Sequence, residues 1–203
     1  MIAVIDYGAG NLHSVCNALE YLQESWTVTR DSDKIHRADR IILPGVGAFG
    51  DAMKNLRGAG VEQVIKEVIR EGKPFLGICL GLHLLFEESE ESPGVPGLGI
   101  LKGKIEKIPM HEGIKIPHMG WNDILLKRDS RILGTEEETP YMYFVHSYYM
   151  RPEDPSVVSA AVQYGEMLDI AVERDNLFAV QFHPEKSGRA GLRILKRFAR
   201  LSD

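Results

Sequence analysis

Short β-rich runs alternate with stretches in which apolar side chains recur every three or four positions. The runs are Ile2–Ile5, Arg40–Leu43 and Phe75–Ile78. Between the first two, Leu12, Val15, Cys16, Leu19 and Leu22 predict an amphipathic helix over residues 11–24. Val61, Val64, Ile65, Val68 and Ile69 predict another over residues 61–71. Strand, helix, strand, helix, strand is the order of a parallel sheet with helices on both faces, and near-continuous apolar strands suit burial on both sides. From about Val95 to Gln181 the pattern changes to strands and turns: Lys104–Ile108, Asp123–Lys127, Tyr141–His146, Val157–Tyr164, Leu168–Glu173 and Phe178–Phe182. A last helix is predicted from about Ser187 to Leu201. The expectation is one α/β domain over residues 1–203, with a mostly parallel central sheet flanked by helices. An antiparallel or mixed strand extension belongs to its second half.

Composition narrows the function classes. The chain has 203 residues, 44% hydrophobic and 26% charged, values of a globular protein. Net charge is 24 − 29 = −5, which argues against a nucleic-acid binder that works by bulk electrostatics. No apolar run approaches the about 20 residues that span a bilayer, and the start Met-Ile-Ala-Val-Ile-Asp has no basic region of a signal peptide. Two cysteines, Cys16 and Cys79, exclude a disulfide framework and make a reducing cytoplasm the expected compartment. No Cys/His spacing suggests a metal, and no cofactor is expected.

Gly77-Ile78-Cys79-Leu80-Gly81 follows a predicted strand and opens a helical stretch, Leu80–Glu87. That is the arrangement of a nucleophile elbow with Cys in place of Ser. A tight strand-to-helix turn needs glycine on both sides, and a helix N-terminus favours thiolate. Cys16, on the apolar stripe of its helix, is expected to be a core residue.

Gln181-Phe182-His183-Pro184-Glu185 supplies the second group. In extended backbone, residues two apart point the same way, so Glu185 is expected to orient the His183 imidazole toward the nucleophile. Alone the motif fits a strand end with a surface His and Glu. With the cysteine elbow it completes a Cys–His–Glu triad.

Pro44-Gly45-Val46-Gly47-Ala48-Phe49-Gly50 has two readings. It matches the G-x-G-x-x-G dinucleotide fingerprint after a strand. The acidic residue about 20 positions on, Glu67, sits inside a helical pattern rather than at a strand end. The second reading is an oxyanion strand whose backbone N–H groups face a tetrahedral intermediate, with glycines that let the Val46 peptide rotate. The second is favoured because a cysteine elbow needs another donor loop.

Together these three motifs resemble the triad-type (class I) glutamine amidotransferases. Tyr7-Gly8-Ala9-Gly10-Asn11, Pro117-His118-Met119-Gly120-Trp121-Asn122 and Tyr143-Phe144-Val145-His146-Ser147-Tyr148 narrow the resemblance to the branch serving histidine biosynthesis. Branches serving anthranilate, purine or pyridoxal phosphate synthesis are the alternatives. The resemblance implies that Cys79 attacks the amide carbon of glutamine, that His183 moves the protons and that Glu185 holds His183. It implies an oxyanion hole from the Leu80 N–H and one of Gly45, Val46 and Gly47. Ser147 and Tyr148 match positions whose backbone holds the substrate. Glu91 matches a substrate-contacting position, although Glu87, Glu88, Glu90 and Glu91 also read as a solvated helix end. Where the family usually has Gln, this chain has His83, which either bonds the substrate or makes no contact with it. His146 is expected to be a structural histidine and His118 a fold or interface residue.

The resemblance also implies a partner. No ammonia-accepting module fits in this length, so ammonia is expected to pass to a (βα)8-barrel cyclase chain. Asn11, Trp121, Tyr143 and Lys186 are the expected interface, Trp121 having a core aromatic as its alternative. Arg189, Arg193 and Arg197 form a basic stripe expected to be a solvated face.

Overall fold

The computed structural model describes residues 1–135 and 140–201. The elements follow in chain order: β1 (Ile2–Ile5), α1 (Leu12–Tyr21), β2 (Trp26–Thr29), α2 (Ser32–Arg37), β3 (Arg40–Gly45), α3 (Phe49–Gly58), α4 (Glu62–Arg70), β4 (Phe75–Cys79) and α5 (Leu80–His83). Then come β5 (Glu88–Ser89), β6 (Gly103–Lys107), β7 (His118–Asp123), β8 (Leu125–Leu126), β9 (Tyr141–His146), β10 (Tyr148–Pro152), β11 (Val158–Tyr164), β12 (Glu166–Arg174), β13 (Leu177–Val180) and α6 (Gly188–Ala199).

The main sheet has eight strands in the order β2-β1-β3-β4-β13-β12-β11-β8. The first five are parallel and the last three pair antiparallel. The expected α/β class, parallel centre and antiparallel extension are therefore present. Only part of the second half extends that sheet: β10-β6-β5 and β7-β9 form two small sheets of their own.

Alternation along the central strands gives the sheet two buried faces. Ile5, Ile41, Leu43 and Phe75 face a cluster with Met53 and Leu56 of α3 and Val64, Ile65 and Val68 of α4. Ile2, Val4, Ile42, Leu76 and Ile78 face the other cluster, with Val15 and Leu19 of α1 and Ile194, Leu195 and Phe198 of α6. Burying each such side chain contributes about 1.5–3 kcal/mol, so helix register follows from the three- and four-residue spacing. Cys16 is buried and free, as expected. Among the described residues no helix is long and apolar enough to cross a membrane.

Several elements differ from expectation. β2, α2 and the strands β5, β7 and β10 are additional, and α3 begins inside the glycine-rich run. The helix expected over Leu80–Glu87 is one turn, Leu80–His83. Glu87, Glu88, Glu90 and Glu91 are accordingly not a helix end: Glu87 pairs with Lys102 and accepts from the Gly103 N–H, and Glu90 accepts from the Lys107 N–H.

Candidate active site

The carboxyl ends of neighbouring parallel strands are where open α/β sheets place ligands. Here β3 ends at Gly45 and β4 at Cys79, and the two residues are register partners. β13 pairs with β4 through Val180 and Ile78, so the chain leaves it at Gln181 beside Cys79.

Cys79 has φ +54° and ψ −112°, backbone space that L-residues rarely occupy. The glycines on either side are required sterically. A Cβ on Gly81 would sit 2.0 Å from the Leu43 carbonyl oxygen, and one on Gly77 2.9 Å from that of Gly81. The elbow is thus built by contact with β3. Because α5 is a single turn, its macrodipole is small, and what it offers an anion is its first free N–H groups.

His183 is buried where the chain leaves β13, and its Nδ1 lies 2.8 Å from Glu185 Oε1. The expected pairing forms by a different route. Residues 184–186 make a short 3₁₀ turn rather than extended strand, and that turn folds Glu185 back under the ring. Both side chains are almost fully buried. Nε2 of His183, facing away from that pair, has no hydrogen-bond partner among the described residues. Burial alone would lower the imidazole pKa. The Cys79 sulfur and the Glu185 carboxylate outweigh burial and push it up to about 10.

A cavity of about 310 Å³ joins these groups, lined by Val46, Gly47, Cys79, Leu80, His83, Glu91, Ser147, Tyr148 and His183, together with Pro117, Val145 and His146. Gly45 lies just beneath: a Cβ there would meet the Tyr7 hydroxyl at 2.6 Å and Leu80 Cβ at 2.9 Å. Gly47 has φ +105°, left-handed backbone space that favours glycine.

Glu91 is more than a solvated carboxylate. Its Oε2 accepts from the Phe49 N–H at 2.8 Å, and Ser92 Oγ accepts from the Gly50 N–H at 3.0 Å. The Ala48 cap position of α3 has no side-chain bond of its own, so a carboxylate 42 positions along the chain caps the helix. This also disposes of the dinucleotide reading. The helix N-terminus that would seat a pyrophosphate already holds Glu91, and Glu67 hydrogen-bonds His36 and Gln63 on the surface.

His146 belongs to the cavity wall, and a directional chain of hydrogen bonds explains how it is held. Its Nδ1 donates to the Tyr148 carbonyl at 2.8 Å, which leaves Nε2 to accept from His118 Nδ1 at 3.0 Å. His118 Nε2 then accepts from Asn122 Nδ2 at 3.5 Å. Both rings must be neutral for this order. Burial holds them so, at about 3 for His146 and about 4 for His118. The chain fixes the Ser147–Tyr148 segment. The aromatic-rich strand was the only sequence signal for it.

The interface candidates lie in different settings. Asn11 caps α1, accepting from the Ser14 N–H. Trp121 is 54% exposed, not core, and meets Tyr143 edge-to-face at 6.0 Å. Lys186 is exposed beside Glu185. Tyr143 is tied to the His183 segment: its carbonyl accepts from the His183 N–H, and its N–H donates to Ser187 Oγ, which donates to the His183 carbonyl. In the basic stripe, Arg197 is half-buried and donates to the Leu133 carbonyl rather than facing solvent.

A cysteine on a strained elbow, an imidazole held by a carboxylate and a glycine-rich strand facing them define a class, and comparison agrees. The chain belongs to the class-I glutamine amidotransferase family, whose model matches residues 3–201. Solved structures share the fold. One described as a glutamine amidotransferase has TM-score 0.75 at 22% identity, covering 98% of this chain and 97% of that one. PurLQS from Thermotoga maritima has TM-score 0.74 at 20% identity, covering 97% and 96%. Within the family the chain is similar to a particular protein, imidazole glycerol phosphate synthase subunit HisH. It is 50% identical to that of Methanothermobacter thermautotrophicus over 99% of this chain and 98% of the relative. It is 51% identical to that of Aquifex aeolicus over 98% and 96%.

Proposed function

We propose that this chain is the glutaminase subunit of an imidazole glycerol phosphate synthase, acting as one unit over residues 1–203. The observation that carries the reading is one cavity shared by Cys79 and the Glu185-held imidazole of His183. Relatives named HisH at about half identity over nearly the whole chain support the branch.

In this mechanism the Cys79 thiolate attacks the glutamine amide carbon. The carbonyl oxygen becomes an oxyanion, received by the Leu80 N–H and a donor from Gly45–Gly47. His183 gives its Nε2 proton to the departing nitrogen as the C–N bond breaks, and ammonia leaves a γ-glutamyl thioester. Water then attacks the thioester, His183 takes up its proton, and the C–S bond breaks to release glutamate. Tyr148 and Ser147 hold the amino-acid end through backbone, positioned by the His146–His118 chain. Glu91 combines helix capping with a place in the cavity wall.

Ammonia passes to a (βα)8-barrel cyclase subunit docked over the cavity mouth. The exposed Trp121 and Tyr143 pair, Lys186 and the Asn11 turn supply that interface. Glutamine hydrolysis with and without the cyclase and its nucleotide ligand tests both parts. Cys79→Ala is expected to lose glutamate release while keeping fold and partner binding. Full residual hydrolysis in that variant overturns the glutaminase reading, and absence of any stimulation overturns the partner.

A further inference from the structure

Gln181 opens the motif that supplies His183, but it takes no part in the acid–base pair. It is fully buried, and its side chain makes two contacts. Nε2 lies 3.8 Å from Cys79 Sγ, and Oε1 lies 2.6 Å from His83 Nε2. The donor order along this line is set at both ends. A thiolate can only accept, so the amide turns its NH2 toward sulfur. Oε1 then faces His83 and needs an N–H. Burial holds His83 at about 4, so the ring is neutral, and its one proton must sit on Nε2 to make this bond.

The geometry points to Gln181 as the residue that fixes the Cys79 thiolate by donating a hydrogen bond to it, with His83 a positioning residue that acts through Gln181 rather than on glutamine. A Gln at position 83 can make the same donation to Oε1 through its amide. The inference rests on Cys79 being the nucleophile of the proposed glutaminase. The other titratable groups around the sulfur are His183 and Tyr7, with Glu185 behind His183 and His146 within electrostatic reach of both His83 and His183. His183 supplies charge to the thiolate, and Gln181 sets where the sulfur points.

The test is the pH midpoint of Cys79 alkylation by iodoacetamide, measured without glutamine and read on the Cys79 peptide by mass spectrometry. Gln181→Met keeps side-chain bulk and removes the donor. Its midpoint moves up by about one pH unit, the scale of a hydrogen bond to a charged group. Its kcat for glutamine falls about tenfold with KM held within about twofold. His83→Phe shifts the midpoint in the same direction, and His83→Gln restores it. The double variant H83F/Q181M, which leaves no orphaned buried donor, shows no shift beyond that of Q181M, because the two residues act in series. An unmoved midpoint in Q181M overturns the inference, as does a raised KM at unchanged kcat in His83→Phe. Should Q181M fail to fold, the His83→Phe and His83→Gln pair decides by the same midpoint. Failure here leaves Cys79→Ala to judge the glutaminase reading separately, since alkylation needs no glutamine.

Discussion

Histidine takes opposite charge states within a few residues of one cavity. His183 is pushed up to about 10, while burial lowers His83 and His118 to about 4 and His146 to about 3. An unfolded histidine titrates near 6.5. The raised group, His183, gives stability fully present below about 6.5 and lost as pH rises toward 10. For the lowered groups the unfolded chain binds the extra proton, so stability falls as pH drops from about 6.5 toward 4. Stability should therefore peak between these flanks, near neutral pH. Thermal unfolding across pH 4.5–9.5 checks this, read as slopes rather than levels. His146→Gln should flatten the acid flank by about 1–2 kcal/mol between pH 6.5 and 5. His183→Gln should flatten the alkaline flank and leave the acid one. An acid flank unchanged in His146→Gln would mean that the Asn122–His118–His146–Tyr148 chain tolerates a charged ring, against the donor order that holds it.

At the scale of elements, the elbow and α3 depend on contacts from distant strands. Gly81→Ala would drive a Cβ into the Leu43 carbonyl at 2.0 Å. Only backbone movement of β3 or α5 relieves that, so a loss of about 2–4 kcal/mol in urea unfolding is expected. Glu91→Ala should cost about 1 kcal/mol as a lost cap, while Glu91→Gln keeps an acceptor for the Phe49 N–H and most of that stability. Equal stability in wild type and Glu91→Ala would return the residue to the solvated run. The same elements show what the sequence disclosed. α1, α4 and α6 carry long apolar stripes and were legible with small errors at their ends. β2 was not, because Trp26–Thr29 is an edge strand with only Thr29 buried. α2 has six residues, too few for a period. The stripe of α3, at Phe49, Ala52, Met53 and Leu56, begins inside the glycine run and lacks a local cap signal. The triad candidates were legible because elbow and His-Pro-Glu are local motifs. The bonds of Gln181 to His83, 98 positions away, and of His118 to His146 are made only by tertiary folding.

At the scale of the whole molecule, one face of the β7–β9 pair has no cover among the described residues. Met119 and Trp121 alternate outward on β7 at 62% and 54% exposure, and their partners on β9 are Val145 and Tyr143. Val145 also lines the cavity, and Tyr143 is bonded to the His183 segment. An exposed apolar patch of this kind is a candidate protein contact. This one reaches the cavity through Val145, where the proposed cyclase subunit would take up ammonia before water at neutral pH protonates it and removes its nucleophilic lone pair. Trp121→Ala should then weaken binding to the cyclase subunit by about 2 kcal/mol, about 30-fold in Kd by calorimetry. The thermal midpoint of the isolated chain should move little, since more than half of that side chain faces solvent already. A Kd unchanged in Trp121→Ala would place the cyclase on another face.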